Sequence, residues 1–202
     1  MAKRRKISAK TTPQGGIIPF SSLLDLPVEP LSHVASFLAA PSQVLFAVAL
    51  KVPSAAIAAP SSIIGHQCWD TLDFGEIEIE LAKRLCDHHI SHILLSIDAV
   101  NKVKRLKLTN CINITGIGLQ PLEGSAIIEY LDLSLTRSGQ NSRIYENPAM
   151  SRDDVLPILE SIIGREGGCA VRKIEFPIKW REEASTEFSE FLERYKIGRA
   201  HV

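Results

Sequence analysis

One apolar signature recurs along the second half of the chain, and it leaves few folds open. Val103-x-x-Leu106-x-Leu108 returns 25 residues later as Ile128-x-x-Leu131-x-Leu133, and 43 residues after that as Val171-x-x-Ile174-x-Phe176. Leu106 and Leu108 alternate with Arg105 and Lys107, which is strand periodicity with one face buried. One short strand cannot bury such a face alone, so the copies must stack, and repetition at this period reads as a solenoid. The other alternating positions, Arg105, Lys107, Tyr130, Asp132, Lys173 and Glu175, are then expected to point outward and are the candidate binding residues of this surface. The longer second interval contains an insertion between Arg137 and Met150, rich in Ser, Asn, Arg and Gly. Loops are common carriers of specificity, so this insertion is a further candidate for binding.

The elements around the repeats follow from the same periodicities. After the first copy, Cys111, Ile114, Gly118, Leu119 and Leu122 are spaced for a turn and a returning helix. Before it, Leu72 and Phe74 alternate like a short strand. Ile77, Leu81, Leu85 and Ile90 then predict one helix with Lys83 and Arg84 in solvent, and Ile93 to Ile97 a second helical patch. Ser151 begins a near capping box for a helix burying Val155, Ile158, Leu159, Ile162 and Ile163. Pro157 would cost that helix an interior bond, so a start nearer Asp154 is expected. Lys173 to Trp180 reads as the third repeat strand, ended by Pro177, and Phe188, Phe191, Leu192 and Tyr195 as a capping helix.

Upstream, residues 23–50 read as a helical hairpin. Pro27 suits a first helical turn, Glu29 suits the positive helix end, and Leu31, Val34, Phe37 and Leu38 form a stripe at helical spacing. Pro41 is expected to stop that helix. Ser42 is the candidate cap for a second, carrying Val44, Leu45, Val48 and Ala49 up to Pro53. A third helix is expected over about Ser61 to Leu72, with Ile63, Ile64, Cys68 and Trp69 on it.

Two resemblances attach to these residues. The run from Val103 to Leu122, of the form L-x-x-L-x-L-x-x-C-x-x-I-T with a later Gly-Leu-x-x-Leu, resembles the cysteine-containing subtype of leucine-rich repeat. That subtype is typical of F-box proteins. Gly116 departs from it, standing where the subtype usually has aspartate, although Gly suits a turn. Leu26-Pro27-x-Glu29-x-Leu31, followed by Val34 and Phe37-Leu38, resembles the opening of the F-box itself. The resemblance implies an α/β fold: an F-box-like three-helix module over 23–70, then a short leucine-rich-repeat solenoid of parallel strands and flanking helices over 71–202. It implies that Leu26, Pro27, Leu31, Val34 and Leu38, with Leu45 and Leu50, dock a Skp adaptor and through it a cullin ligase core. The repeats would hold a protein target, making the chain a ubiquitin-ligase receptor with no chemistry of its own. The competing expectation is a repeat scaffold outside any ligase, whose N-terminal helices are only an end cap. Exposure of Leu31, Val34 and Leu38 separates the two.

Charge and composition narrow the partners. The 202 residues balance 23 basic against 23 acidic groups, but Lys3, Arg4, Arg5, Lys6 and Lys10 lie in the first ten. The mildly acidic remainder disfavours broad nucleic-acid binding. Residues 1–22 read as a disordered basic tail, and Lys3 to Lys6 as a possible nuclear-import signal, for a protein of the cytoplasm or nucleus. Pro41-Ser42-Gln43 interrupts the most apolar stretch, so no membrane span is expected, and the polar run from Ser8 to Gly16 argues against a signal peptide. Cys68, Cys86, Cys111 and Cys169 are far apart and read as reduced thiols.

No catalytic or cofactor pattern stands out. Cys86, His88, His89 and His92 include an i,i+4 histidine pair, which a metal-dependent enzyme could use, but no further ligand has matching spacing, and no metal is expected. Cys111 reads as a buried small hydrophobe. Gly116-Ile117-Gly118 lacks the third glycine and the lysine of a phosphate loop.

Overall fold

The computed structural model describes residues 28–50, 69–135, 149–165, 170–183 and 186–200. The basic tail, Leu26, Pro27, most of the expected third helix, Cys68, Cys169 and residues 137–148 of the insertion lie outside them. The fold is mixed α/β, built on a four-stranded parallel sheet with helices.

The strands β1 (Thr71–Asp73), β2 (Arg105–Lys107), β3 (Tyr130–Asp132) and β4 (Lys173–Glu175) lie side by side in chain order. Their registers place Leu72, Leu106, Leu131 and Ile174 in one line across the sheet. Three residues per strand supply few ladder bonds, so side chains carry most of the stability. Trp69, Val103, Ile128 and Val171 are all buried, as are Phe74, Leu108, Leu133 and Phe176. Each such side chain contributes about 1.5–3 kcal/mol when fully withdrawn from water. Trp69-x-x-Leu72-x-Phe74 is therefore a fourth copy of the repeated signature, and it is why the expected third helix cannot run to Leu72. The backbone turns soon after β2 and β3, where Asn110 and Leu135 adopt left-handed conformations (φ 67° and 61°). Asn110 N donates to Leu135 O across that turn at 3.0 Å.

The single helix expected from Ile77 to Ile90 is two: α3 (Ile79–Arg84) and α4 (Asp87–Ser96), with Leu85 and Cys86 extended between them. Tertiary pairing forces the break. Cys86 forms a parallel bridge with Asn113, whose side-chain nitrogen donates to Lys83 O at 2.7 Å, just before the end of α3. Leu85 and Ile90 are buried as expected, but Leu81 is exposed on the short α3. The expected second patch simply continues α4, with Ile93 and Leu94 buried. After α5 (Ala99–Lys102) and β2, the returning segment is a 3-10 helix, Ile117–Leu122, whose Leu119 and Leu122 are buried in the same core as α4.

Helix α6 (Arg152–Ile163) buries Val155, Leu156, Ile158, Leu159 and Ile162, close to expectation. It starts at Arg152 and not near Asp154, and Ser151 makes no side-chain cap bond. Pro157 sits on its exposed face, so the helix gives up one bond but no packing. Trp180 is not in the last strand: Pro177 begins a new helix, α7 (Ile178–Glu182), which carries Trp180 inward. Phe176, Trp180, Phe188 and Phe191 pack with ring centroids 5.1–6.1 Å apart, docking α8 (Thr186–Ala200). These side chains belong to the main core, and α8 packs against α6.

At the other edge, α1 (Val28–Ser36) and α2 (Ala40–Leu50) form the hairpin. The turn differs from expectation. Helix α1 ends at Ser36, before Pro41, and α2 starts at Ala40 with Pro41 buried in its first turn, so Ser42 is not its cap. A proline there loses nothing, because first-turn N–H groups have no helical acceptor. Gln43 Nε2 donates to Leu38 O at 2.8 Å and ties the two helices at the turn. No helix among the described residues is long and apolar enough to cross a membrane.

Candidate protein-interaction surfaces

The N-terminal pair divides its apolar residues between two tasks. On α2, Val44 and Ala47 are buried in the main core, and Leu45 and Val48 pack half-buried against it. Leu50 turns the other way and, with Leu31 and Ala35 of α1 and the half-buried Phe46, makes a small separate cluster. The rest of the α1 stripe is open: Val34 is 50% exposed and Phe37 76% exposed, while Leu38 is half-buried. Phe37 stands edge-on to His33, with ring centroids 5.0 Å apart, on the exposed side of the hairpin. Of the expected adaptor-binding residues, Leu31, Val34, Leu38 and Leu50 therefore gather around α1. Leu45 belongs to the core contact of α2, and Leu26 and Pro27 lie outside the described residues.

The second surface is the outer face of the sheet. Register brings the six expected residues together in two rows: Arg105, Tyr130 and Lys173, then Lys107, Asp132 and Glu175. The fourth copy adds Thr71 to the first row and Asp73 to the second. Asp73 is a site residue that the three-copy pattern does not include, although it occupies the position of Lys107 in the Trp69-x-x-Leu72-x-Phe74 copy.

Electrostatics fix most of this face. Lys107 Nζ lies 2.8 Å from Asp73 Oδ2. The hydrogen bond to Asp73 raises the Lys107 pKa, against the opposing effect of burial and with the attraction of Asp73, Asp132 and Glu76. Tyr130 donates its hydroxyl to Glu175 Oε1 at 2.8 Å, and Lys173 Nζ reaches the same oxygen at 2.6 Å. Burial first, then that hydrogen bond and the nearby carboxylates, push the Tyr130 phenol well above its ordinary value, so it stays a donor. Asp132 does not point freely outward as alternation suggests. It is only 8% exposed, and its Oδ1 accepts from Ser134 N at 3.0 Å and Ser134 Oγ at 2.5 Å. A carboxylate between two occupied strands finds its donors in its own following turn, a local capture that period-2 patterning cannot register.

A third polar cluster is architectural. Asp87, in the first turn of α4, accepts from Thr115 N at 2.9 Å, Gly116 N at 3.0 Å and Gly118 N at 2.9 Å. Burial works to raise its pKa, but the backbone donors of Thr115, Gly118 and Gly116 outweigh it and hold the carboxyl below its ordinary value. This clamp binds one repeat unit to the next. Sequence reasoning passed over Asp87, whose only signal is an acid in a helical first turn. Nearby, the exposed His88 and His92 rings lie 4.3 Å apart, as i,i+4 spacing dictates. Among the described residues no three His, Cys, Asp or Glu side chains are grouped to hold a metal. Cys111 is fully buried, and burial pushes its thiol up to about 12, so it packs as the small hydrophobe expected.

No protein-family model matches the chain, and no curated protein and no solved structure matches it either.

Proposed function

We propose that this chain is the substrate-recognition subunit of a Skp–cullin–F-box ubiquitin ligase: an F-box-like hairpin docks the Skp adaptor and a short leucine-rich-repeat solenoid holds a protein target. The observation that carries the reading is the division of labour in the hairpin. Val44 and Ala47 fasten α2 to the repeat core, whereas Val34 on α1 and Phe37 in the turn just after it stand in solvent. Apolar side chains exposed along and just beyond a short helix are what a partner groove buries. Four signature copies in register, with polar residues on one face, suit a repeat array presenting a target surface. The chain contributes recognition only, acting in cytoplasm or nucleus.

A scaffold outside any ligase is the second reading, and the burial of Val44 and Ala47 favours it, since α2 does close the β1 edge. An end cap accounts for α2 and leaves the open face of α1 without a purpose.

Co-purification with the Skp adaptor tests the proposal. Wild type is expected to bind stoichiometrically. The double variant Val34→Asp, Phe37→Asp is expected to bind at least about 100-fold more weakly, because two charges would be buried without partners. Leu31 is unsuitable for this purpose, being buried within the hairpin. Both substituted positions are exposed, so circular dichroism and the melting temperature should be unchanged. A wild-type chain that fails to bind, or a variant that binds equally, rules the reading out.

A further inference from the structure

The outer face of the sheet leaves one charge unspent. Thr71, Arg105, Tyr130 and Lys173 stand in register, so neighbours are about 4.8 Å apart. Around Arg105 every carboxylate of the face is already occupied: Asp73 by Lys107, Asp132 by Ser134, and Glu175 by both Tyr130 and Lys173. Lys173 is committed as well, with its ammonium also 5.6 Å from the centre of the Tyr130 ring. Arg105 is exposed and lies on an inner strand; its backbone N–H donates to Asp70 O at 2.8 Å, but its guanidinium has no hydrogen-bond or ion-pair partner among the described residues. A cationic ligand would have to break existing pairs to find an acceptor here. An anionic one meets a free guanidinium beside an aromatic ring that its own hydroxyl bond holds in place.

We propose that Arg105 is the specificity-determining residue of this face, receiving an Asp or Glu carboxylate of the target protein in a bidentate pair while the Tyr130 ring lies against the same segment. A guanidinium fork matches a carboxylate in plane and presents two parallel donors to it. The proposal rests on the reading of the sheet face as a target surface. It predicts that Arg105 selects, whereas Lys107 and Lys173 hold the face together.

The test is an array of nonapeptides with degenerate flanks and a central Glu, Asp, Gln or phosphoserine, probed with the labelled full chain. Central Glu and Asp are expected to bind about tenfold better than Gln, the ratio expected for roughly 1.4 kcal/mol. Arg105→Gln should erase the preference, and Lys102→Gln, an exposed change of the same charge on α5, should leave it intact. Four results overturn the proposal: equal binding of Gln, survival of the preference in Arg105→Gln, binding of phosphoserine alone, or no binding at any position. Adaptor binding through α1 is read separately, so either proposal can fail while the other stands.

Discussion

Gly116→Asp, which would bring the chain closer to the repeat subtype it resembles, is expected to destabilise the fold by about 2–5 kcal/mol. Two costs add. Gly116 has φ +115°, where any L side chain is strained, and a Cβ built there would sit 2.2 Å from Val155 Cγ2. Val155 is fully buried in α6 and cannot retreat without opening the core. Urea denaturation of the variant should show a lower midpoint with an unchanged slope. Adding Val155→Ala should recover only part of the loss, since it relieves the clash but leaves the backbone strain and creates a void. An unchanged midpoint for Gly116→Asp would mean that α6 does not pack on this turn as described.

Asp87→Ala is expected to cost about 2–3 kcal/mol at pH 7. Three backbone N–H groups lose a charged acceptor, and Gly118 approaches so closely (an added Cβ would be 2.7 Å from Asp87 O) that the turn has no alternative seat. The pH dependence follows from the direction of the shift. The folded-state pKa is depressed, so the carboxylate's contribution is fully present above the unfolded value, near 4, and is lost as pH falls through the folded value. Wild type and variant should therefore differ by a constant amount from pH 5 to 7 and converge below about pH 4. Parallel pH–stability curves across that whole range would show that Asp87 carries no such clamp.

These two positions also mark where sequence reading ran out. The lines Leu72–Leu106–Leu131–Ile174 and Phe74–Leu108–Leu133–Phe176 were legible because a strand's period of two survives in any buried repeat. Even so, Trp69-x-x-Leu72-x-Phe74 reads in sequence as a separate strand, since Trp69 stands 34 positions before Val103 with helical sequence between them. The break at Leu85–Cys86 was not legible, because its cause, Asn113, lies 27 residues downstream of Cys86. Asp87 and Ser134 are further cases of polar residues whose partners are backbone groups or near neighbours, and hydrophobic periodicity says nothing of them. On the sheet face, alternation placed Arg105 and Lys173 correctly in solvent, but it could not distinguish the free Arg105 from the captured Asp132. Along α1 and the turn after it, helical spacing located the stripe but not which half of it the α2 contact would cover. Leu31 was covered by Leu50, while Phe37 was left as the most open apolar residue there.

Amide hydrogen exchange of the chain with and without the Skp adaptor tests the central claim most directly, because it reads α1 and the sheet in one experiment. The account predicts that the adaptor slows exchange across Val28–Ser36 by at least tenfold and leaves the strand segments around Leu72, Leu106 and Leu131 unchanged. Absence of protection in α1, or protection confined to the sheet, would contradict it.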